Sequence, residues 1–194
     1  IISISGFFCY IYMNAPEFKS ELLYKRESSN IYDSKGDLIA SIGTEKRQIV
    51  TYDELPQVLI DAIVATEDSR FFEHDGFDIY RFMKAGVGFL KGEDAGGAST
   101  LTMQLSKNTY TSTNAEGFDG IVRKFTDIYM SIFKIEKDYS KKEIIEFYVN
   151  APYLGAGSYG VQMAAKTYFN KDVSNINLVE AAIIAGLFQA PGEY

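Results

Sequence analysis

Three segments of the chain carry the residue types that chemistry needs. The first, Ala65-Thr66-Glu67-Asp68-Ser69-Arg70-Phe71-Phe72-Glu73-His74-Asp75-Gly76, crowds ionisable groups directly behind an apolar stretch. Four carboxylates (Glu67, Asp68, Glu73 and Asp75) fall within nine residues, beside aromatics. Desolvation and like-charge neighbours raise carboxylate pKa values, which is how a carboxylate becomes a general base or acid near neutral pH. A solvated acidic helix end has the same composition, so both readings stand at this point. The second segment is Gly96-Gly97-Ala98-Ser99-Thr100-Leu101-Thr102-Met103-Gln104-Leu105-Ser106-Lys107-Asn108. Its glycines let backbone approach a ligand, and Ser99 or Thr100 can cap a helix whose first amides face an anion. Gln104 and Lys107 are three apart and share a helix face, with Lys107 suited to a phosphate. The Gly-to-Lys spacing is wrong for a Walker A loop, and a capped surface helix reads the same way. In the third segment Arg123, Lys124 and Asp127 pair a double cation with a carboxylate four residues on. That is either an ordinary i,i+4 ion pair or a cationic pair facing a pyrophosphate.

Composition limits the alternatives. The chain has 194 residues, 46% hydrophobic and 23% charged, which excludes a disordered or low-complexity chain and fits one domain with a sizeable core. One cysteine, Cys9, excludes a disulfide framework or a cysteine zinc site. One histidine, His74, argues against a His-ligated metal or a Ser-His-Asp hydrolase, and is read as a structural residue near the acidic segment. The formal charge of −7 argues against nucleic acid as a partner. Chemistry therefore falls to carboxylates, lysines and arginines.

Helices must position these groups. Thr51 and Glu54 have capping-box spacing, Pro56 fits a first helical turn, and Leu55, Val58, Leu59, Ala62 and Ile63 recur with helical period. Ile121, Phe125, Ile128, Ile132 and Ile135 form a second helical stripe. Ser140 with Glu143 and Asn177 with Glu180 mark two further helix starts. The last helix, LVEAAIIAGLF, is apolar nearly all round and is expected to be central to the core. Before the helices, apolar Ile31, Leu38 and Ile42 flank the turn signal Asp33-Ser34-Lys35-Gly36, which predicts a hairpin, and the segment ending in Gln48-Ile49-Val50 could add a third short strand. Residues 77–90 read as apolar and poorly amphipathic, with Gly86 and Gly88 weakening any helix, and residues 91–98 as a loop. Together they are either core plus loop or a surface that dips into a bilayer. Residues 1–13 carry no charge but are too few to span a bilayer alone. They are either a buried helix or strand of the domain or, as expected here, the outer end of a transmembrane helix with Tyr10 and Tyr12 at the interface, and the chain is expected to be a piece of a longer protein.

Taken in order, the segments resemble the peptidoglycan glycosyltransferase domain of class A penicillin-binding proteins and monofunctional transglycosylases. EDSRFFEHDGFD, GGASTLTMQLSKN and RKFTD look like the family's first three motifs. IIEFYVNAPYLGAGSYGVQMAAKTYF and LVEAAIIAGLFQAP look like the fourth and fifth. The resemblance covers residues 31–194. It implies a mainly α, lysozyme-like, two-lobed helical domain with a small N-terminal β-hairpin segment. The expected layout is the C-terminal part of a transmembrane anchor over 1–15, a linker and β segment over 16–54, and the glycosyltransferase domain over 55–194.

The resemblance also implies a reaction: lipid II is polymerised, by inverting β-1,4 transfer, into peptidoglycan strands with release of undecaprenyl pyrophosphate. Glu67 becomes the general base for the acceptor GlcNAc 4-hydroxyl and Asp127 its catalytic partner. Lys107, Arg123 and Lys124 hold the leaving pyrophosphate, with a divalent cation, Mg2+ or Mn2+, as the expected cofactor. Asp68, Arg70, Phe71, Gly97, Ser99, Thr100, Gln104 and Asn108 are the implied further substrate contacts. The implied partners are lipid II, the growing glycan strand, the cytoplasmic membrane, a C-terminal transpeptidase domain and cell-wall synthesis proteins. The implied location is the cell membrane, single-pass, with the domain on the extracytoplasmic side. Two positions depart from the family pattern: Asp127 stands where the third motif usually ends in Glu, and Asp119 where an Arg usually precedes the Arg-Lys pair. They motivate the alternative of a weakened lipid II-binding module. A lysozyme-like glycosidase would instead need two carboxylates flanking a sugar bond.

Overall fold

The computed structural model describes residues 2–23, 29–35, 38–42, 46–92, 97–110 and 115–192. It is mainly helical. In chain order the elements are α1 (Ile2–Asn14), β1 (Ser29–Tyr32), β2 (Leu38–Ile42), β3 (Lys46–Arg47), α2 (Gln57–Glu67), α3 (Ile79–Lys91), α4 (Leu101–Tyr110) and α5 (Gly117–Met130). After a π-helical turn, Ser131–Ile135, come α6 (Glu136–Asp138), α7 (Lys141–Asn150), β4 (Ser158–Tyr159), α8 (Val161–Phe169) and α9 (Leu178–Leu187). The chain divides into two compact units, residues 1–19 with 67–144, and residues 20–66 with 145–194.

The first unit is built around α5, which has two chemically distinct sides. Phe118, Ile121, Val122 and Phe125 recur at helical spacing and meet α1: Phe7 packs edge-on against Phe118 and Phe125, with centroids 6.4 and 5.4 Å away. An apolar groove of about 740 Å³ opens there between α1 and α5. Arg123, Lys124 and Asp127 project from the opposite side, where α4 packs. The interior of this unit holds Phe71, Leu101, Met103, Leu105, Met130 and Ile135, all buried. The Ile121–Ile135 stripe does not continue as one α-helix. It runs out of α5 through the π turn, which re-aims its last residues so that Ile135 is buried while Ile121 is exposed.

Residues 77–90 do not behave as read from sequence. Residues 79–91 form a continuous helix in spite of Gly86 and Gly88, and that helix is strongly two-sided. Ile79, Tyr80, Phe82, Met83 and Val87 are exposed; Lys84 and Lys91, also exposed, border this apolar face, while Arg81 turns away from it and is half-buried. Residues 93–96 of the expected loop lie outside the described residues.

In the second unit the expected hairpin is present: β1 pairs antiparallel with β2, with an irregularity between Ile31 and Tyr32. Asp33 Oδ1 accepts the amide of Lys35 in the turn; Gly36 lies outside the described residues. The segment ending in Gln48-Ile49-Val50 does carry a third short strand, Lys46–Arg47, but it pairs in parallel with Ser158–Tyr159 and not with the hairpin. Its place is fixed by side chains. The Asn150 amide brackets the backbone of Val50, donating to its carbonyl at 2.7 Å and accepting its N–H at 3.1 Å. Arg47 donates to the carbonyls of Asn150 and Ala151. The Thr51–Glu54 box closes a 3-10 turn rather than α2, which starts immediately after Pro56. The Ser140–Glu143 and Asn177–Glu180 pairs cap α7 and α9 as the spacing predicts. α9 is only half a core helix: Ala181, Ile184, Ala185 and Leu187 are buried, but Leu178, Val179 and Ile183 are exposed. An all-apolar helix therefore lies at the edge of this core, because apolarity without a polar side gives the sequence no marker of which face turns outward.

Candidate active site

From Glu67 onward all three chemistry-bearing segments fall in the first unit, and α4 is the element that gathers them. Thr100 is its N-cap: Thr100 Oγ1 accepts the Met103 amide at 3.2 Å and donates to the Gly76 carbonyl at 2.8 Å. Gly76 in turn can be nothing but glycine. Its φ is +84°, and a Cβ there would stand 2.7 Å from the carbonyl carbon and oxygen of Ser131 in the π turn. One residue, buried and without a side chain, thus joins the first motif segment, the α4 start and the turn after α5.

The four clustered carboxylates separate into two kinds. Glu73 and Asp75 are exposed, as in an ordinary acidic helix end, whereas Glu67 and Asp68 are 7% and 0% exposed. Asp68 is wholly engaged: it accepts from His74 Nε2 at 3.0 Å and from the Leu101 amide at 3.0 Å, and lies 3.6 Å from Arg81 Nη1. It therefore anchors the framework, with His74 as the structural partner expected from sequence. Glu67 is different. Gln104 Nε2 donates to Glu67 Oε2 at 2.9 Å, but Oε1 is buried with no hydrogen-bond partner among the described residues. A buried carboxylate oxygen with no donor is costly, and a group held that way is equipped to take a proton.

The cations form the second half of the site. Lys124 Nζ donates to Ser99 Oγ at 2.6 Å. Burial pushes the Lys124 ammonium below the ordinary lysine range; nearby Asp127 opposes this, and Arg123 and Lys107 reinforce it. Lys107, Arg123 and Lys124 are thus close enough to feel one another, an arrangement whose natural complement is a polyanion. Asp127 is 2% exposed. It takes Arg123 Nη1 on Oδ2 and Ser106 Oγ on Oδ1, both at 3.1 Å. Read from sequence as a catalytic partner, it has the geometry of a residue that positions Arg123. Ser106 had no signal in sequence beyond its place on α4.

The remaining expected contacts divide. Gly97, Ser99, Gln104 and Lys107 lie on or just before α4 with Asn108, which is exposed, and Cβ space at Gly97 is open. Arg70 lies over the Tyr80 ring, its carbon CZ 4.7 Å from the centroid, with Nε 3.1 Å from Glu73. Phe71 and Thr100 are fully buried. Phe71 packs on Phe72 and under the Lys141 ammonium, 4.3 Å from its centroid, so its contribution is to the core and not to a ligand surface. Asp119 is exposed in the first turn of α5, where a carboxylate complements the helix dipole.

The expected Mg2+ or Mn2+ finds no preformed cage among the described residues. Asp68 and Asp127 are committed to donors, and among the described residues no group of three or more His, Cys, Asp or Glu stands ready to hold a metal ion. No step below passes through a cation.

Comparison with known proteins points the same way as the geometry. The family model for transglycosylases matches residues 35–194. Penicillin-binding protein 1A of Streptococcus pneumoniae is 39% identical over 194 residues, covering 100% of this chain and 27% of the relative. The proteins of the same name from Aquifex aeolicus and Clostridium novyi are each 40% identical over the whole chain, which covers 26% and 23% of them. The chain thus spans about a quarter of the length of these relatives. A match over most of its length, with the base-like Glu67 and the clustered cations inside it, settles the family: the chain belongs to the transglycosylases.

Proposed function

We propose that this domain polymerises lipid II into peptidoglycan glycan strands. The observation that carries the proposal is the Glu67 carboxylate, buried, fixed through one oxygen by Gln104 and bare on the other. In the reaction Glu67 Oε1 takes the proton of the acceptor GlcNAc 4-hydroxyl. The freed oxygen attacks the anomeric carbon of the lipid-linked MurNAc from the face opposite the phosphate. The carbon–phosphate-oxygen bond breaks with inversion, and undecaprenyl pyrophosphate leaves. Lys107, Arg123 and Lys124 neutralise the charge that grows on the pyrophosphate, a large contribution where the cations are already in place. Base catalysis adds typically about 10²–10⁴-fold. Asp68, His74 and Thr100 act indirectly, by fixing the start of α4, and Asp127 by holding Arg123.

The two-unit division and family membership support a lysozyme-like, two-lobed fold. The first unit also offers a lipid-facing surface. α3 exposes Ile79, Tyr80, Met83 and Val87, and α1, free of charge, exposes Ile4, Phe8, Tyr10 and Tyr12. Among the described residues no helix is long and apolar enough to cross a membrane. We place α1 at the end of a single-pass anchor, with the domain on the extracytoplasmic side. The relatives' name and the quarter of their length that is matched support a following penicillin-binding, transpeptidase part.

The deciding experiment incubates the protein with labelled lipid II in vesicles, beside Glu67→Gln. Long glycan chains from the wild type and none from Glu67→Gln are expected. Chains of equal length and rate from Glu67→Gln would remove Glu67 from the chemistry. Lipid II retained without chains would establish the binding-module alternative.

A further inference from the structure

Arg81 lies outside every motif segment, on the charged side of α3, yet it reaches the base. Its Nη1 donates to the main-chain carbonyl of Glu67 at 2.6 Å and lies 3.6 Å from Asp68 Oδ1. One guanidinium nitrogen therefore spans two consecutive residues, the candidate base and the buried anchor beside it. Arg81 is itself held at the start of α3, where its amide donates to Asp78 Oδ1 at 3.1 Å; Asp78 is 1% exposed.

We propose that Arg81 is a positioning residue for Glu67, an inference that rests on Glu67 being the base. Two arguments carry it. Among the described residues Gln104 is the side chain that anchors the Glu67 carboxylate, so its bare oxygen is located mainly by its own backbone. That backbone is a helix end, where carbonyls lack intrahelical donors and attract cations; Arg81 supplies the donor. Second, Asp68 is fully buried, and its other partners, His74 and the Leu101 amide, bring no permanent charge. Lys141 and Arg70, two further cations near this network, are engaged elsewhere: Lys141 donates to the His74 carbonyl and to Glu136, and Arg70 pairs with Glu73 and Asp78. A buried carboxylate without a cation is strongly unfavourable, and Arg81 relieves this while also bonding the Glu67 carbonyl. Lysine duplicates the arrangement only in part, because its flexible ammonium lacks the rigid guanidinium plane that orients this nitrogen. Loss of the clamp lets the base drift, and a misplacement of about 1 Å costs about 10²-fold in rate.

The test uses the full-length protein, lipid II in vesicles, and initial-rate kinetics for Arg81→Met, Arg81→Lys and Glu67→Gln. Arg81→Met keeps the aliphatic stem and removes the donor. It is expected to lower kcat about 10²-fold with KM for lipid II within about threefold, while thermal unfolding stays cooperative. Arg81→Lys is expected to recover part of that kcat. Wild-type kcat in Arg81→Met overturns the proposal, and so does a rise in KM at constant kcat, which would make Arg81 a substrate contact. If Arg81→Met does not fold, Arg81→Lys decides: reduced kcat at unchanged KM supports the clamp, and full activity overturns it. Turnover by Glu67→Gln would instead refute the reading of Glu67, whatever Arg81 does.

Discussion

Asp127 is one methylene shorter than the glutamate that usually ends the third motif, and its surroundings decide what that means. It bonds Arg123 and Ser106 at 3.1 Å each, in a site it fills to 2% exposure. Lengthening the side chain would overpack that site, so Asp127→Glu is expected to lower stability by about 1–3 kcal/mol and leave activity no higher than wild type. Denaturant unfolding and glycan synthesis measured together check this; a clear gain in activity would support the weakened-module alternative. Lys124 gives a pH prediction of definite sign. Its ammonium titrates below the ordinary lysine range because it is buried beside Arg123 and Lys107. Affinity for a pyrophosphate needs the charged form, so it is fully present at low pH and falls as pH rises through that lowered pKa. Inhibition by undecaprenyl pyrophosphate should therefore weaken well before the ordinary value of about 10.4, and Lys124→Met should remove this lower limb. Affinity that holds constant up to about 10.4 would contradict the burial argument.

At the scale of elements, α4 and the segments it gathers were legible, because caps and turns are written in local residues. The Gly-Gly-Ala-Ser-Thr run announced a capped helix, and the structure selects Thr100 over Ser99, which instead meets Lys124. What stayed hidden were partners distant in sequence. Ser106 and Arg81 have no local signature, since a serine inside a helix and an arginine in an apolar stretch mean little until their neighbours are known. Arg81, Lys84 and Lys91 do share one side of a helical projection, a periodicity that marks α3 as two-sided against the helix-weakening signal of Gly86 and Gly88. Tertiary context overrides so weak a propensity. Gly76 shows how tightly the elements interlock. Gly76→Ala places a methyl 2.7 Å from Ser131 backbone at φ +84°, and is expected to cost more than about 2 kcal/mol, about 1–2 kcal/mol of it from the left-handed backbone alone. Thr100→Ala, losing only the cap, should cost about 1 kcal/mol. Urea midpoints for the two variants give the comparison, and the ranking fails if Thr100→Ala is the more damaging.

For the molecule as a whole, the proposed function asks an acidic chain to handle an anionic, lipid-linked substrate. The formal charge of −7 repels it at long range, yet that repulsion is screened beyond about 10 Å at ordinary ionic strength. Local features must therefore capture the substrate, and they are of two kinds: clustered cations behind α4 and exposed apolar side chains on α3 and α1. The apolar contribution scales with buried area, about 25 cal/mol per Å², so a helix that lays Ile79, Tyr80, Met83 and Val87 into a bilayer binds with useful strength even where the lipid carries no net charge for Lys84 and Lys91 to meet. Met83→Glu and Val87→Glu change side chains that are 62% and 50% exposed. Thermal unfolding in detergent-free buffer is expected to stay at wild type, while partition onto neutral vesicles falls and glycan synthesis on those vesicles falls with it. Using neutral lipid separates burial from repulsion, since a loss confined to anionic vesicles would reflect only the added negative charge. Unchanged partition on neutral vesicles would mean that α3 does not face the lipid, and the capture of substrate would then rest on the cations and on α1.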